Sequence, residues 1–512
     1  MSLTKATYSM IEGAPANVVD FGAVGNGVAN DTAAIQLALD SGALAVYFPA
    51  GTYLIDSVSL YDNQKVYGDG ANSILRATNA TADILVSGGT TGIIHIDSIS
   101  NVEVCSLKFQ GINRPQNNNP ASQDGDRGVD IVSATGVNVH DCFVDGFWSF
   151  GIVSSGGNKI RVSNNQVTNI GNQSCIACSN STTDFIVSGN ILQNGKLYGV
   201  EAENESEFGV ISANNIDNCV AGIGIVTSKK ITVTGNSIKD CNNVNTISNA
   251  SGIGIYLIGD VTKVSEDITI SGNSIFNCKL RAILCQRGHV NVSVDGNTIS
   301  GGADYVTIGD PLIEFVTDAG FGPMDTISIS SNNIDCTDNR SCFIGSRNTD
   351  FNFQGNAVSN VYSKVFTFLT PFSYSNIQLP WLNSIANALD SEDLPQDISN
   401  TIFTDRYPEY VVYGSPAIMQ VKLAKPSKLI GIDWSVNPTS VAGGPGDEFK
   451  LYVDNVDVGS IIPSVANKDT WERTQLNINF TSAVTANTCF EVKIENVSTL
   501  TVNYVKFRVL LM

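Results

Sequence analysis

In a chain with only 15% charged residues, one short run concentrates carboxylates: Glu201-Ala202-Glu203-Asn204-Glu205-Ser206-Glu207. Its alternation reads as a strand, so Glu201 and Glu203 face the same way. An extended backbone sets them roughly 6.6 Å apart. Two carboxyl groups this close repel when both are ionised, which raises one pKa and keeps a proton ready for a leaving oxygen while the other group activates water. The spacing lies at the lower edge of the range for inverting glycoside hydrolysis and above that for retention. The competing reading is a solvated strand and turn, because the outward positions of any such strand must be polar. The sequence leaves both open.

Other chemistries are poorly represented. There is no GxSxG, HExxH or phosphate-binding loop, and the histidines His95, His140 and His289 are scattered. His140, beside Asp141, reads as an ordinary solvated histidine. The spacing Cys175-x-x-Cys178 resembles a redox or zinc motif, but on a strand the two thiols face opposite ways. No metal centre and no cofactor are expected. The reserve acids are Asp124, Asp126, Asp130 and Glu314. Candidate sugar-stacking aromatics are Phe147, Trp148, Phe150, Tyr198 and Tyr256, for which packing against loops is the alternative. Arg127 and Arg281 can bind a carboxylated sugar or offset the glutamates.

What must position these residues is a repeated phrase. ITVTGNSIKDC (231–241) and ITISGNSIFNC (268–278) are close copies, and looser ones run from VNVHDCFVDGF (137–147) to FNFQGNAVSN (351–360). The copies recur about every 21–25 residues, with two longer steps. A period of this size marks a solenoid. Alternating apolar and polar residues make each phrase a strand, and GN or NN turns the chain by tolerating positive φ. The expected fold is all-β: a right-handed parallel β-helix. The recurring Cys219, Cys241, Cys278 and Cys336 read as a buried stack of reduced thiols.

A second strand per coil aligns as GVDIV (128–132), GIVSS (151–155), CIACS (175–179), GVEAE (199–203), GIGIV (222–226), GIGIY (252–256) and AILCQ (282–286). Val129, Ile152, Ile176, Val200, Ile223, Ile253 and Ile283 form an inward stack in this alignment. The outward column runs Asp130, Val153, Ala177, Glu201, Gly224, Gly254, Leu284, Glu314. The next holds Val132, Ser155, Ser179, Glu203, Val226, Tyr256 and Gln286. Gly224 and Gly254 leave room for a ligand beyond Glu201. Coils stack at about 4.8 Å, so Asp130 stands roughly 14 Å from Glu201, too far to pair with it. Insertions at 113–126, 242–250, 259–266 and 301–326 flank this strand and raise walls around one face.

The expected organisation is an N-terminal extension (1–14), a cap and first coil (15–56), the β-helix (57–373), a linker (374–404) and a C-terminal antiparallel β-sandwich (405–512). That last domain serves trimerisation or carbohydrate binding. A helix starting at Asn30-Asp31-Thr32 would cover the first coil. The net charge of −20 argues against nucleic acid as a partner and disfavours polyanion capture. No apolar run approaches membrane-spanning length, and MSLTKATYSMIEG lacks the apolar core of a signal peptide.

The cap carries a resemblance. DFGAVGNGVANDTAAIQLAL (20–39) followed by FPAGTY (48–53) resembles the opening of the pectate-lyase-like β-helix proteins of phage tailspikes and capsule or O-antigen depolymerases. The resemblance implies a virion protein of the phage tail, acting outside the cell on a bacterial surface polysaccharide as a homotrimer. It implies no catalytic residue, because the matching motif lies in the cap. Three activities follow: hydrolysis of the polysaccharide, lyase cleavage, or receptor binding without cleavage. A lyase needs a proton abstractor and a cation beside the uronate, whereas Glu201 and Glu203 make an acidic groove. The apolar outward residues Val153, Val226 and Leu284 are the sequence's own ground for a trimer.

Overall fold

The computed structural model describes residues 13–301 apart from 81–91, 123, 242–251 and 261–262, and beyond 301 the segments 312–316 and 324–335 with a set of strands reaching Leu511. The chain divides into two compact units, Met1–Cys285 and Gln286–Met512.

The first unit is a parallel β-helix, with each full coil giving one strand to each of three parallel sheets. A 3-10 turn (Val18–Phe21) and one α-helix (Thr32–Leu39) open it. Ile35, Ala38 and Leu39 are the helix's buried face, as a cap requires. Asp31 stands at the N-cap position, yet its side chain is diverted from capping. It accepts from the amides of Val24 (2.7 Å) and Gly25 (3.1 Å), while Asn30 Oδ1 takes the Thr32 amide at 3.0 Å. The aspartate of the cap motif therefore holds the FGAVG loop against the helix.

The repeated phrase forms the first and second sheets, and its asparagine is buried rather than at the turn. Asn165, Asn190, Asn214, Asn236 and Asn273 stack as a ladder. Each Oδ1 from Asn190 onward accepts from the backbone amide and the side-chain amide of the preceding member, at 2.9–3.1 Å. Their Nδ2 groups also donate to core-strand carbonyls such as Val139 O and Val187 O. The positive φ falls one residue earlier, at Asn164, Gly189, Ala213, Gly235 and Gly272. Two jobs assigned to one residue type are thus split between neighbours. Cys142 occupies the ladder position in its own coil, with its amide on Asn165 Oδ1.

Cysteines 105, 142, 175, 178, 219, 241, 278 and 285 are free and buried. Cys175 contacts Cys219 and Cys241 contacts Cys278, so the thiols stack between coils. Cys336 lies outside the described residues.

In the second unit, Asn297, Asn332 and Asn356 form a ladder of the same kind. Strands between Ile402 and Leu511 form sheets of five and four strands, mostly antiparallel. Among the described residues no helix is long and apolar enough to cross a membrane.

Candidate active site on the third sheet

The third sheet carries the second strand of each coil; the aligned columns hold from Val129 to Ile223 and slip at the next strand. Val129, Ile152, Ile176, Val200 and Ile223 do stack in succession. The next member is Ile255, not Ile253; Ile253 pairs with Ala221 and Tyr256 with Gly224. The GIG of 222–224 and the GIG of 252–254 look equivalent in sequence, but the chain enters the later strand two residues further along. The glycine that keeps step with Gly222 is Gly254, whose backbone oxygen sits where a Gly222 side chain would go. Consequently Tyr256 belongs to the Glu201 column and Ile258 to the Glu203 column.

This register closes the space expected beyond Glu201. Tyr198 reaches across to the next coil, and a side chain at Gly224 would meet its ring at 2.6 Å. Gly224 is thus a seat for Tyr198 rather than an open floor. Tyr198, Ala221, Ile253, Tyr256 and Leu284 pack as one apolar cluster. It supplies the low-dielectric side of the glutamates' surroundings.

Glu201 is 4% exposed, and Ser174 Oγ donates to its Oε2 at 2.6 Å. Burial, then the charge of Glu203, pushes the Glu201 carboxyl up to about 8, with the Ser174 bond opposing. Glu203, half-buried, is also raised by desolvation. Among the described residues no Lys or Arg lies within ion-pair distance of either. The pair therefore meets the electrostatic requirement of an acid with a retained proton beside a second, wetter carboxylate.

A second group of candidates forms around Arg127. Arg127 bridges Asp124 Oδ1 (2.7 Å) and Asp130 Oδ1 (3.1 Å), with its guanidinium 5.3 Å from the centre of the Phe150 ring. His95 Nδ1 lies 3.3 Å from Asp130 Oδ2, one coil away. Burial opposes ionisation of Asp130, but His95 and Arg127 outweigh it and hold the carboxyl below its usual range. Asp126 is a loop anchor: it accepts from the amides of Ile112, Arg114 and Trp148 at 2.7, 3.0 and 2.8 Å. Trp148 Nε1 in turn donates to Ser122 O at 3.0 Å. Phe147 is fully buried, which removes it from the sugar-stacking set. Arg281 is half-buried at the start of the strand Arg281–Gln286. Glu314 is buried in the strand Ile313–Val316 of the second unit.

Two residues were missed. His95 sits in GIIHID, a strand of the same sheet that pairs with Arg127–Val132, and extending the outward column one coil back finds it. Ser174 lies in a turn before its strand, where no pattern marks it.

Residues 16–246 match the family model described as rhamnogalacturonase A/epimerase, pectate lyase-like, so this stretch is similar to that family. No curated protein matches the sequence. Among solved structures, the chain is similar to PfbA, a surface adhesin of Streptococcus pneumoniae (TM-score 0.58, 15% identity, 71% of this chain and 93% of that one). It is also similar to the Dettilon tailspike protein (0.56, 15%, 95% and 94%). A third is the hyperthermoactive exopolygalacturonase of Thermotoga maritima (0.52, 12%, 67% and 91%). These likenesses share the β-helix.

Proposed function

We propose that this protein is a phage tailspike endoglycosidase that hydrolyses a bacterial surface polysaccharide, with Glu201 as general acid and Glu203 activating water. The observation that carries the reading is the Glu201 carboxyl, buried beside a second carboxylate and pushed up to about 8. A carboxyl group in that state still holds its proton at neutral pH and can deliver it to a glycosidic oxygen. Glu203 is the more exposed of the two, which suits contact with water. Their strand spacing of roughly 6.6 Å supports inversion. The Dettilon tailspike and the exopolygalacturonase among the similar structures support a polysaccharide substrate. A lyase is less well supported, because Arg127 is already held by Asp124 and Asp130 and, among the described residues, no Lys or Arg pairs with Glu201 or Glu203.

The test is a panel of bacterial capsule and O-antigen polysaccharides. New reducing ends without ultraviolet-absorbing unsaturated ends are expected. Glu201→Gln and Glu203→Gln are each expected to lower turnover by at least about a hundredfold with binding intact. Unsaturated ends would mean a lyase, and binding without cleavage a receptor-binding spike. If both variants cut at the wild-type rate, the pair is structural and Asp130 with His95 becomes the next candidate. The homotrimer belongs to the same proposal. Its apolar ground is narrower than the sequence indicates, since Val153 and Leu284 are buried within the chain. Light scattering that returned the monomer mass at micromolar concentration would remove it.

A further inference from the structure

The first sheet presents a second cluster that the glycan reading does not use. The strand Ser100–Cys105 places Glu103 and Cys105 two residues apart, and Cys105 pairs directly with His140 of the next coil. We propose that Glu103 Oε1, Cys105 Sγ and His140 Nε2 form a zinc site on the outer face of the first sheet, with water as the fourth ligand.

Geometry carries the assignment. The three ligand atoms all lie within 4.8 Å of one another. Glu103 Oε1 is 3.1 Å from His140 Nε2 and 3.6 Å from Cys105 Sγ. Tetrahedral zinc with ordinary Zn–N, Zn–O and Zn–S bonds separates N from O by about 3.3 Å and S from O by about 3.6 Å. The ligands are thus set at zinc's own edge lengths before any metal arrives.

The other ring nitrogen supplies an independent reason. His140 Nδ1 lies 2.7 Å from Asp141 Oδ2, the carboxylate–histidine arrangement that fixes a metal ligand's tautomer. In the tautomer whose Nδ1–H donates to Asp141, Nε2 turns its lone pair toward Glu103 Oε1, the side on which a metal ion would bind. Only a cation between them, a proton or a metal ion, makes that contact favourable. Lys65 Nζ shares Glu103 Oε1 at 2.8 Å and is about half exposed, so it can swing into water as zinc enters. The thiol proton of Cys105 passes to solvent on binding. Zinc suits a mixed sulfur, nitrogen and oxygen set with an open water position. Joining two successive coils close to the N-terminal cap, it would resist unwinding there.

The test uses the full chain stripped with chelator and titrated with zinc alone. One tightly held zinc per chain is expected, with a rise in the thermal midpoint. Cobalt in its place should show a thiolate-to-cobalt charge-transfer band. Cys105→Ser and His140→Gln should each remove that zinc, the cobalt band and the midpoint rise. Glu103→Gln, a near-isosteric change at a half-exposed position, should weaken binding at least about tenfold. Absence of stoichiometric zinc on folded wild type overturns the proposal. So does equal zinc uptake by wild type and Glu103→Gln.

Discussion

Ser174 Oγ stands 2.6 Å from Glu201 Oε2, reaching it from the preceding coil of the same sheet. The hydroxyl favours the ionised carboxylate and so opposes the burial that holds the proton on. Removing it with Ser174→Ala should raise the Glu201 pKa further. If Glu201 is the general acid, the alkaline limb of the kcat/KM profile moves to higher pH in that variant. A profile with an unmoved alkaline limb assigns the acid elsewhere.

The same residue makes the fold sensitive to pH. Its carboxyl is raised from 4.5 to about 8 in the folded chain, so the native state binds the proton more tightly than the unfolded state. Stability from this group is therefore greatest below about 4.5 and declines as pH rises toward 8. Glu201→Gln should accordingly stabilise the protein at pH 8, by roughly 2–4 kcal/mol, with the gain shrinking toward zero near pH 4. Urea unfolding midpoints at the two pH values measure it. A variant no more stable than wild type at pH 8 would show that Glu201 ionises freely.

The β-helix was legible because its period recurs in every coil, and one residue pattern repeated many times outweighs any local ambiguity. Glu201 and Glu203 were legible as neighbours because strand parity fixes which side chains share a face. Tyr256 was misplaced because repeated Gly-Ile-Gly triplets fit the column in two registers, and only the packing of Gly222 against the Gly254 backbone chooses between them. The sequence also marks Asp126 as an acid but not as a bound one. Its three amide donors come from residues 14 and 12 positions before it and 22 after it, contacts that no spacing rule anticipates. Asparagine was read as a turn former on its tolerance of positive φ. Its amide's capacity to donate and accept at once is what the ladder uses.

That ladder should dominate the stability of the middle coils. Asn214 Oδ1 accepts two bonds from Asn190, its Nδ2 reaches Val187 O and Asn236 Oδ1, and its amide meets Asn236. Asn214→Leu leaves the Asn190 amide and the Val187 carbonyl buried without these partners, at a cost of about 2–4 kcal/mol. Asn218→Gly, which keeps the positive φ of 53° at this exposed turn and removes the 2.8 Å bond to Asn194, should cost less than about 1 kcal/mol. Denaturant unfolding of the two variants side by side tests the contrast. Equal losses would mean that burial of the amide adds nothing.

The last prediction separates anchoring from catalysis at Asp126. Its carboxylate is fully buried and gathers the amides of Ile112, Arg114 and Trp148, tying the start of the 113–126 insertion to the loop that precedes the strand Ile152–Ser155. Asp126→Ala strands three buried N–H groups, which should destabilise the protein by about 3–5 kcal/mol. The loop around Arg114 should then open locally well before the β-helix unfolds. Faster amide hydrogen exchange across residues 113–126 under native conditions, in the variant and not in wild type, is the expected readout. Glycan cleavage per folded molecule should stay within a few fold of wild type, since this anchor lies about three coils, or roughly 14 Å, from Glu201. A stable variant with unchanged exchange across this loop and turnover reduced a hundredfold would reverse the assignment and make Asp126 part of the chemistry.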